Sequence, residues 1–599
     1  MKIHKIEIYN WRSIIYNSIY FRDLMIFIGQ NNHGKSNILS SLLFFFGEIG
    51  LQDLDFYGSS NELWVEIEFN DLKGGEKVTF QKYVTASNTI KVRKSAKKGE
   101  GFTYNGYLQK PNEDWLKEEN ISNYTNRASV ENLPLYQYLP DSGRITKDAF
   151  KQAQIEYINN HLNYISFEYN LETNNFLGAK NVAKGMFGDL FFIPSIKKAS
   201  EELTAKGNSV FGQLYSRVIN KMSESDPKFI EAKKRIAEFS KILNKTTDDG
   251  QPNNNRPSDL TSLETLLDEE LKSWKAKIDI EITPPNVDDI FRVGTNVWID
   301  DGIKTDIERK GHGLQRALIF ALFKAWSKIL KQDREVSTES EEYENASDVR
   351  VQKRGASKST YFIFEEPELF LHPQAQKELF SSLVALSVAE SQVILCTHSS
   401  SFIGLEHHKS ICIVIKESFD EGTKILQCKE DLFSKLEEKK RFNLSYWINP
   451  DRSELFFAKK VVLVEGQTDK AVIPLIAEKL GVFRYDFTLI DCGSKDTIPQ
   501  YIHLLNKFKI KYVVVYDKDH QQNKNEDAIA SADRSSKIIE ACIDSNLGSS
   551  LVFENDIEEE IGMVEKVSSN KAYIAINHVA DETFQISYSL EAKINKIFE

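Results

Sequence analysis

Cysteine is scarce in this sequence, long apolar runs are missing, and there is no surplus of positive charge. The five cysteines, Cys396, Cys412, Cys428, Cys492 and Cys542, are scattered with no Cys-x-x-Cys pair. That argues against a zinc site and a disulfide framework, and fits a reducing cytoplasm. No apolar stretch approaches the roughly 18 residues that span a bilayer, so no membrane segment is expected. The opening Met1-Lys2-Ile3-His4-Lys5-Ile6-Glu7-Ile8 alternates like a strand and lacks a signal-peptide profile, so the expected location is cytoplasmic. A net charge of −12 withholds the basic surplus common among nucleic-acid binders. It does not exclude such a role, because charge distribution and bound cations decide local binding.

What remains is an ordinary globular composition, 41% apolar and 27% charged, in a chain of 599 residues. That length exceeds what one core serves, and about two to four domains are expected. Residues 62–70 and 77–84 alternate at period two around Lys73-Gly74-Gly75-Glu76, which predicts a hairpin. Residues 100–170 show no clean period and carry no chemistry that can be placed. From about Pro194 to Trp274 the pattern is helical, broken by the polar stretch 246–257, which predicts a helical hairpin. Residues 332–358 are charge-rich and read as a mobile surface loop. Past Pro450 short apolar strands alternate with helices, as in a separate α/β domain.

Two stretches carry phosphate chemistry. Gly29-Gln30-Asn31-Asn32-His33-Gly34-Lys35-Ser36 follows the apolar run Leu24–Ile28 and precedes a Leu- and Phe-rich helix. Glycines at 29 and 34 let the backbone approach phosphate, Lys35 reaches the terminal phosphates, and the Ser36 hydroxyl ligands Mg²⁺. A glycine turn capping a helix is the plain alternative, but it has no use for the preceding strand and the Lys-Ser pair. Tyr361-Phe362-Ile363-Phe364 is a buried strand ending in Glu365 and Glu366, which can serve a Mg²⁺ shell and an attacking water. Val393–Cys396 is another strand, running into Thr397-His398, and His398 can touch a γ-phosphate. Lys310-Gly311-His312-Gly313-Leu314-Gln315-Arg316 precedes a helix predicted over 317–326, so its amides can bind phosphate. Alone, the two glutamates read as solvated and the histidine as structural.

The second stretch is Val461-Val462-Leu463-Val464-Glu465-Gly466-Gln467-Thr468-Asp469, joined later by Tyr512-Val513-Val514-Val515-Tyr516-Asp517-Lys518-Asp519. Glu465 ends a strand, Gly466 is expected to make the turn, and Asp469 falls in a first helical turn. Asp517 and Asp519 lie two apart at a strand end and face one side. Such oxygen ligands suit Mg²⁺ or Mn²⁺. A ladder of surface carboxylates is the plain alternative.

Asn10-Trp11-Arg12-Ser13, the phosphate loop, the Gly311–Arg316 stretch, Glu365-Glu366-Pro367-Glu368 with Leu371-His372-Pro373, and Thr397-His398-Ser399 together resemble ABC-type ATPases related to SMC and RecF proteins. The resemblance implies ATP held by Arg12, Asn31, Gly34, Lys35, Ser36, Glu365, Glu366 and His398. It also implies that Gly311 and Gly313 of one subunit close over ATP on another, hence a homodimer or homotetramer. Relatives usually carry Asp where this chain has Glu365, which points to slow turnover. Glu465-Gly466-x-x-Asp469 with Asp517-x-Asp519 resembles the Toprim fold, and the combination resembles the OLD-family nucleases. That family includes the nuclease subunit of Gabija anti-phage defence and some retron effectors. It implies a further metal ligand at Glu558 and a charge-stabilising lysine at Lys571. Gly493-Ser494-Lys495 resembles the family's glycine loop, expected to contact DNA phosphate.

The resulting expectation is an α/β multidomain protein. An ABC-type ATPase spans 1–194 and 286–450, a helical dimerisation insert spans 195–285, and a Toprim domain spans 451–599. Catalysis is expected from Glu465, Asp469, Asp517, Asp519, Glu558 and Lys571. The activity expected is ATP-regulated, Mg²⁺- or Mn²⁺-dependent cleavage of double-stranded DNA in anti-phage defence, with inhibition at high ATP favoured over activation as the form of that regulation. A helicase-like protein, or a reverse transcriptase with its msDNA, is the partner the resemblance implies. Two rivals stand beside it. One is an ATP-gated DNA clamp or sensor with a binding-only Toprim domain. The other is a topoisomerase-like enzyme, which would need a nucleophilic tyrosine on a separate DNA-binding domain that this sequence does not display.

Overall fold

The computed structural model describes residues 1–195 except 141–142, 163, 179–181 and 183–184. It further describes 211–212, 215, 218–219, 222, 226–246, 251–270, 280, 297–322 and 325. From 357 onward it describes 357, 359–388, 391–418, 420–432, 452–520, 525–563 and 570–599. The chain divides into two compact units, Met1–Ser195 with Ser347–Glu599, and Ile196–Ala346.

Among the described residues, the first unit holds three sheets. One is antiparallel, in the order Ile14–Tyr20, Lys2–Trp11, Glu62–Asn70, Ile90–Lys97, Gly101–Pro111, Phe167–Leu171. Its alternating apolar face, including Ile6, Ile8, Val65, Ile67, Phe69 and Val92, is buried. The second runs in the order Lys424–Gln427, Ile411–Ile415, Leu24–Ile28, Ser391–Cys396, Thr360–Glu365, Asp189–Ile193. All its pairings are parallel except at the Lys424–Gln427 edge. Its central strands are buried on both faces, which is why they read as unbroken apolar runs. The helix Lys35–Phe46 shares one core with both sheets: Trp11 stacks on Phe44, and Phe45 meets Phe69 and Tyr104. A helix apolar nearly all round is what such a position requires.

The hairpin expected at 62–84 does not form. Glu62–Asn70 pairs with Ile90–Lys97, and Gly74–Thr79 is a short helix. The reason is the spacing of the larger side chains. Phe80 and Tyr83, three apart, pack together on Phe176, with Phe187 beside Phe80, while Val78 is left in solvent. Residues 100–170 supply the strand Gly101–Pro111, most of the strand Phe167–Leu171 and the helix Lys147–His161, with a small core of Leu116, Val130, Leu135 and Phe150.

The third sheet is parallel throughout, in the order Phe487–Asp491, Lys460–Val464, Tyr512–Asp517, Gly548–Phe553. Helices cover both faces. Val462, Val464, Val513 and Val515 share a core with the helices Gln467–Leu480, Lys571–Ala580 and Tyr588–Phe598. Helix Ile498–Phe508 buries Ile498, Tyr501, Ile502 and Leu505. The first strand in sequence lies between the second and the third, so the winding reverses between Lys460–Val464 and Tyr512–Asp517. In open α/β sheets, ligands bind at the carboxyl ends of the strands flanking such a reversal.

The second unit carries the helices Pro227–Leu243 and Ser258–Glu270. Between them Asn253 donates to the carbonyls of Lys241, Ile242 and Asn244, turning the polar stretch into a helix stop. A further helix covers 312–322, so it starts within the Gly311–Arg316 stretch and not after it. Its first turn closes through Leu314 and Gln315 amides donating to the Gly311 carbonyl. The 332–356 stretch, expected to be a loop, lies outside the described residues.

Candidate active site

The nucleotide-type site grows out of three adjacent parallel strands whose carboxyl ends align. Cys396 pairs with Phe27 on one side and Glu365 on the other. The phosphate loop, His398 and the Glu365-Glu366 pair therefore emerge side by side. Gly29 has φ 146°, and a Cβ there would stand 2.2 Å from the Val414 carbonyl oxygen. Gly34 has φ 100° with Thr423 Oγ1 at 2.4 Å from the same construction, so neither position admits a side chain. Lys35 is buried, and its Nζ donates to the Gly29 and Gln30 carbonyls at 3.0 and 2.9 Å. Burial lowers its affinity for protons, offset in part by Cys396, Glu366 and Glu368. Ser36 and Asn31 face solvent.

The glutamate turn and the Thr397-His398 segment are tied together. The Glu366 amide donates to the Cys396 carbonyl, and the His398 amide donates to Glu368 Oε1 at 2.6 Å. His398 Nε2 lies 3.6 Å from Glu366 Oε1. Burial, then Lys35, pushes the His398 imidazole down to about 4, so the ring is neutral at physiological pH. Glu368, which the sequence marks only as part of a motif, is buried, and that burial raises its carboxyl. Arg12 holds φ 49°, with Nε on Asp55 Oδ1 at 2.8 Å, while the adjoining Ser13 Oγ contacts Thr423 Oγ1 and Asn37 Nδ2. Gly311 and Gly313 belong to the second unit.

The carboxylate site lies at the reversal in the third sheet. Glu465 follows the strand Lys460–Val464, and Asp517 closes Tyr512–Asp517. The Asp517 amide donates to Glu465 Oε2 at 3.4 Å. Asp469, at the third position of the helix Gln467–Leu480, accepts the amide of the N-cap residue Gly466 at 3.0 Å, the reciprocal half of a capping box. Gly466 itself has φ −148°, ordinary extended backbone, and the turn expected of it is made by that cap. Asp519 holds φ 63° and turns the chain away.

Burial pushes the Asp469 carboxyl up to about 7, with Glu465 and Glu558 adding repulsion. Burial pushes Asp517 up to about 9, reinforced by Asp469, Glu465, Asp519 and Asp556. Asp469 Oδ1 and Asp517 Oδ1 are both buried without a hydrogen-bond partner among the described residues. Among the described residues, no three Asp, Glu, His or Cys side chains are already arranged as a closed metal-binding group. Lys571 opens the helix Lys571–Ala580, its Nζ 3.9 Å from Glu558 Oε1. Asp556, not singled out in the sequence, acts on Asp517 and caps the turn Ile557–Glu560. Lys495 is turned inward and donates to the Asp517 carbonyl.

Residues 1–403 match the family model described as AAA ATPase domain. Residues 456–519 match the overcoming lysogenization defect protein-like TOPRIM domain. The "Old nuclease" of Escherichia phage P2 is 23% identical over 539 residues, spanning 87% of this chain and 78% of that protein. The "OLD nuclease" of Thermus scotoductus is 31% identical over 160 residues, 26% of this chain and 30% of its own length. "Endonuclease GajA" of Bacillus cereus is 26% identical over 196 residues, 28% of each. Among solved structures, an Smc head bound to the C-winged helix domain of ScpA aligns with 14% identity and TM-score 0.33, over 74% of this chain and all of that one. The chain belongs to the AAA ATPase domain family over residues 1–403, and at 456–519 it carries an overcoming-lysogenization-defect-like TOPRIM domain.

Proposed function

We propose that this chain is an ATP-regulated, Mg²⁺- or Mn²⁺-dependent endonuclease of double-stranded DNA, acting in defence against phage. One observation carries the reading: at the sheet reversal Asp469 and Asp517 each bury a carboxylate oxygen that no group among the described residues satisfies, beside Glu465. Buried, mutually repelling carboxylates are costly unless a cation joins them. An all-oxygen donor set fits Mg²⁺ or Mn²⁺. Glu465, Asp469, Asp517, Asp519 and Glu558 would hold the ions. Bound there, divalent ions supply an activated water and charge neutralisation for phosphodiester hydrolysis. Lys571, the lysine beside Glu558, is suited to steady charge on the phosphate. The names of the three relatives support the same reaction class.

In the ATPase, Lys35 and Gly34 would hold the phosphates, with Arg12 and Asn31 at the rim. Ser36 and Glu365 would serve the metal, and Glu366 and His398 would face the attacking water. Gly311 and Gly313 would close over ATP on a second copy. We take 195–285 as the dimerisation insert between ATPase parts 1–194 and 286–450, with the nuclease at 451–599, in a dimer or tetramer. Exposed Phe239 and Leu266 on the insert support that role. Regulation has a route: Gln30 of the phosphate loop donates to the Phe457 carbonyl at 3.2 Å, at the entry to the nuclease. The adjoining turn Arg452–Phe456 packs on Ser400–Phe402, just past His398.

The test is plasmid cleavage by wild type and Glu465→Ala with Mg²⁺, Mn²⁺ or chelator. Metal-dependent cutting that falls on the order of 10²-fold or more in the variant, with ATP binding kept, is expected. Undiminished cutting by Glu465→Ala overturns the assignment. A plasmid shifted but never cut by wild type would make the chain a clamp.

A further inference from the structure

The strand Tyr512–Asp517 outruns its neighbour. Its ladder with Lys460–Val464 ends at the pair Val464 and Val515, while on the far side Asp517 still pairs with Phe553. The next amide, Lys518 N–H, donates to Phe553 on that far side. The Asp517 N–H and C=O therefore face the side where the neighbouring strand has ended. Buried main-chain groups require partners. Two side chains supply them: Glu465 Oε2 accepts the N–H at 3.4 Å, and Lys495 Nζ donates to the carbonyl at 2.5 Å.

Lys495 is built for this task. It is 7% exposed, and its Nζ lies 5.3 Å from the Tyr516 ring centroid. It opens the turn Lys495–Thr497 ahead of helix Ile498–Phe508. That turn is fixed on both sides: the Gly493 amide donates to Asp491 Oδ1 at 2.7 Å, and Thr497 Oγ1 donates to the Cys492 carbonyl. The ammonium is thus directed at the main chain of the Asp517-Lys518-Asp519 turn, away from the exposed rim where it was expected to meet DNA.

We propose that Lys495 is a positioning residue of the metal site, which pins the Asp517 carbonyl and so sets the directions of the Asp517 and Asp519 carboxylates. This rests on the reading that those carboxylates hold divalent metal. The test titrates Mn²⁺ into the full-length protein by calorimetry and electron paramagnetic resonance, for wild type, Lys495→Met and Lys495→Arg. A fluorescent ATP analogue reports folding of the distant ATPase. Lys495→Met should weaken Mn²⁺ binding by roughly 10-fold or more, the loss typical of groups that orient metal ligands. Lys495→Arg, which keeps a donor, should recover most of that loss, and both should bind the ATP analogue as wild type does. Equal Mn²⁺ affinity in Lys495→Met and wild type overturns the proposal. So does weakened binding of duplex DNA in chelator with Mn²⁺ affinity intact, which would make Lys495 a DNA contact. A wild type that binds no Mn²⁺ overturns the metal reading itself, and the proposal with it.

Discussion

Replacing Asp517 by asparagine should stabilise the metal-free protein while destroying its response to metal. In the fold the Asp517 carboxyl is pushed up to about 9, against an ordinary value of 3.8. At pH 7 the folded protein must keep a proton that the unfolded chain would release, across a gap of about three pH units. At ~1.4 kcal/mol per unit this costs roughly 4 kcal/mol. The amide cannot ionise, so that cost disappears, offset by about 1–2 kcal/mol for burying an NH₂ group without a full set of partners. The net gain is about 2–3 kcal/mol. The sign follows from linkage: an acid whose folded pKa is raised contributes stability that is complete below 3.8 and lost as pH rises through about 9. At pH 5 the gap is only about one unit, so the amide's own cost cancels the advantage. Calorimetric melting in chelator, following the transition of the C-terminal domain, should show Asp517→Asn higher than wild type by about 5–10 °C at pH 7 and unshifted at pH 5. Added Mn²⁺ should raise the wild type and leave the variant unmoved. A variant that melts at or below wild type at pH 7 in chelator would refute the electrostatic account of this site.

Lys35→Ala should abolish nucleotide binding, seen with a fluorescent ATP analogue, because the only buried cation at the phosphate loop among the described residues is removed. Gln30→Ala should keep nucleotide binding but shrink the effect of ATP on plasmid cleavage from roughly 5-fold or more to under about 2-fold. An undiminished ATP effect would show that the Phe457 contact transmits nothing. His398, held at about 4 against an ordinary 6.5, should show no imidazole titration by NMR between pH 6 and 8. Its depressed value makes the wild type lose stability as pH falls from 6.5 towards 4, so His398→Gln should lose less over that window.

The placement of both candidate sites was readable in the chain because each is assembled from short strand ends. A buried strand must surface at its carboxyl end, and whatever residue ends it, Glu365 or Asp517, or follows it, Gly29 or Glu465, is delivered to the sheet edge. Local pattern failed where contacts distant in sequence decided the outcome. Alternation at 77–84 looked like a strand, but Phe80 and Tyr83 answer to Phe176 and Phe187, and the helix won. Gly466 looked like the turn-maker, but the Asp469 carboxylate makes the turn by capping it.

What the sequence alone determined is the inventory: a phosphate loop between strand and helix, carboxylates at strand ends, and two blocks of different architecture. Spacing and side-chain type suffice for that, since hydrogen-bonded turns and alternating burial are local matters. Only the tertiary structure decided which strands are neighbours, and hence which ends meet. The order Phe487–Asp491, Lys460–Val464, Tyr512–Asp517, Gly548–Phe553 sets Glu465 beside Asp517 at the reversal. The same packing leaves Asp517 past the end of the neighbouring strand, turns Lys495 inward to satisfy it, and crowds Asp556 and Asp469 against it. Burial and like charge, which raise these carboxyls, exist only once the chain has closed around them.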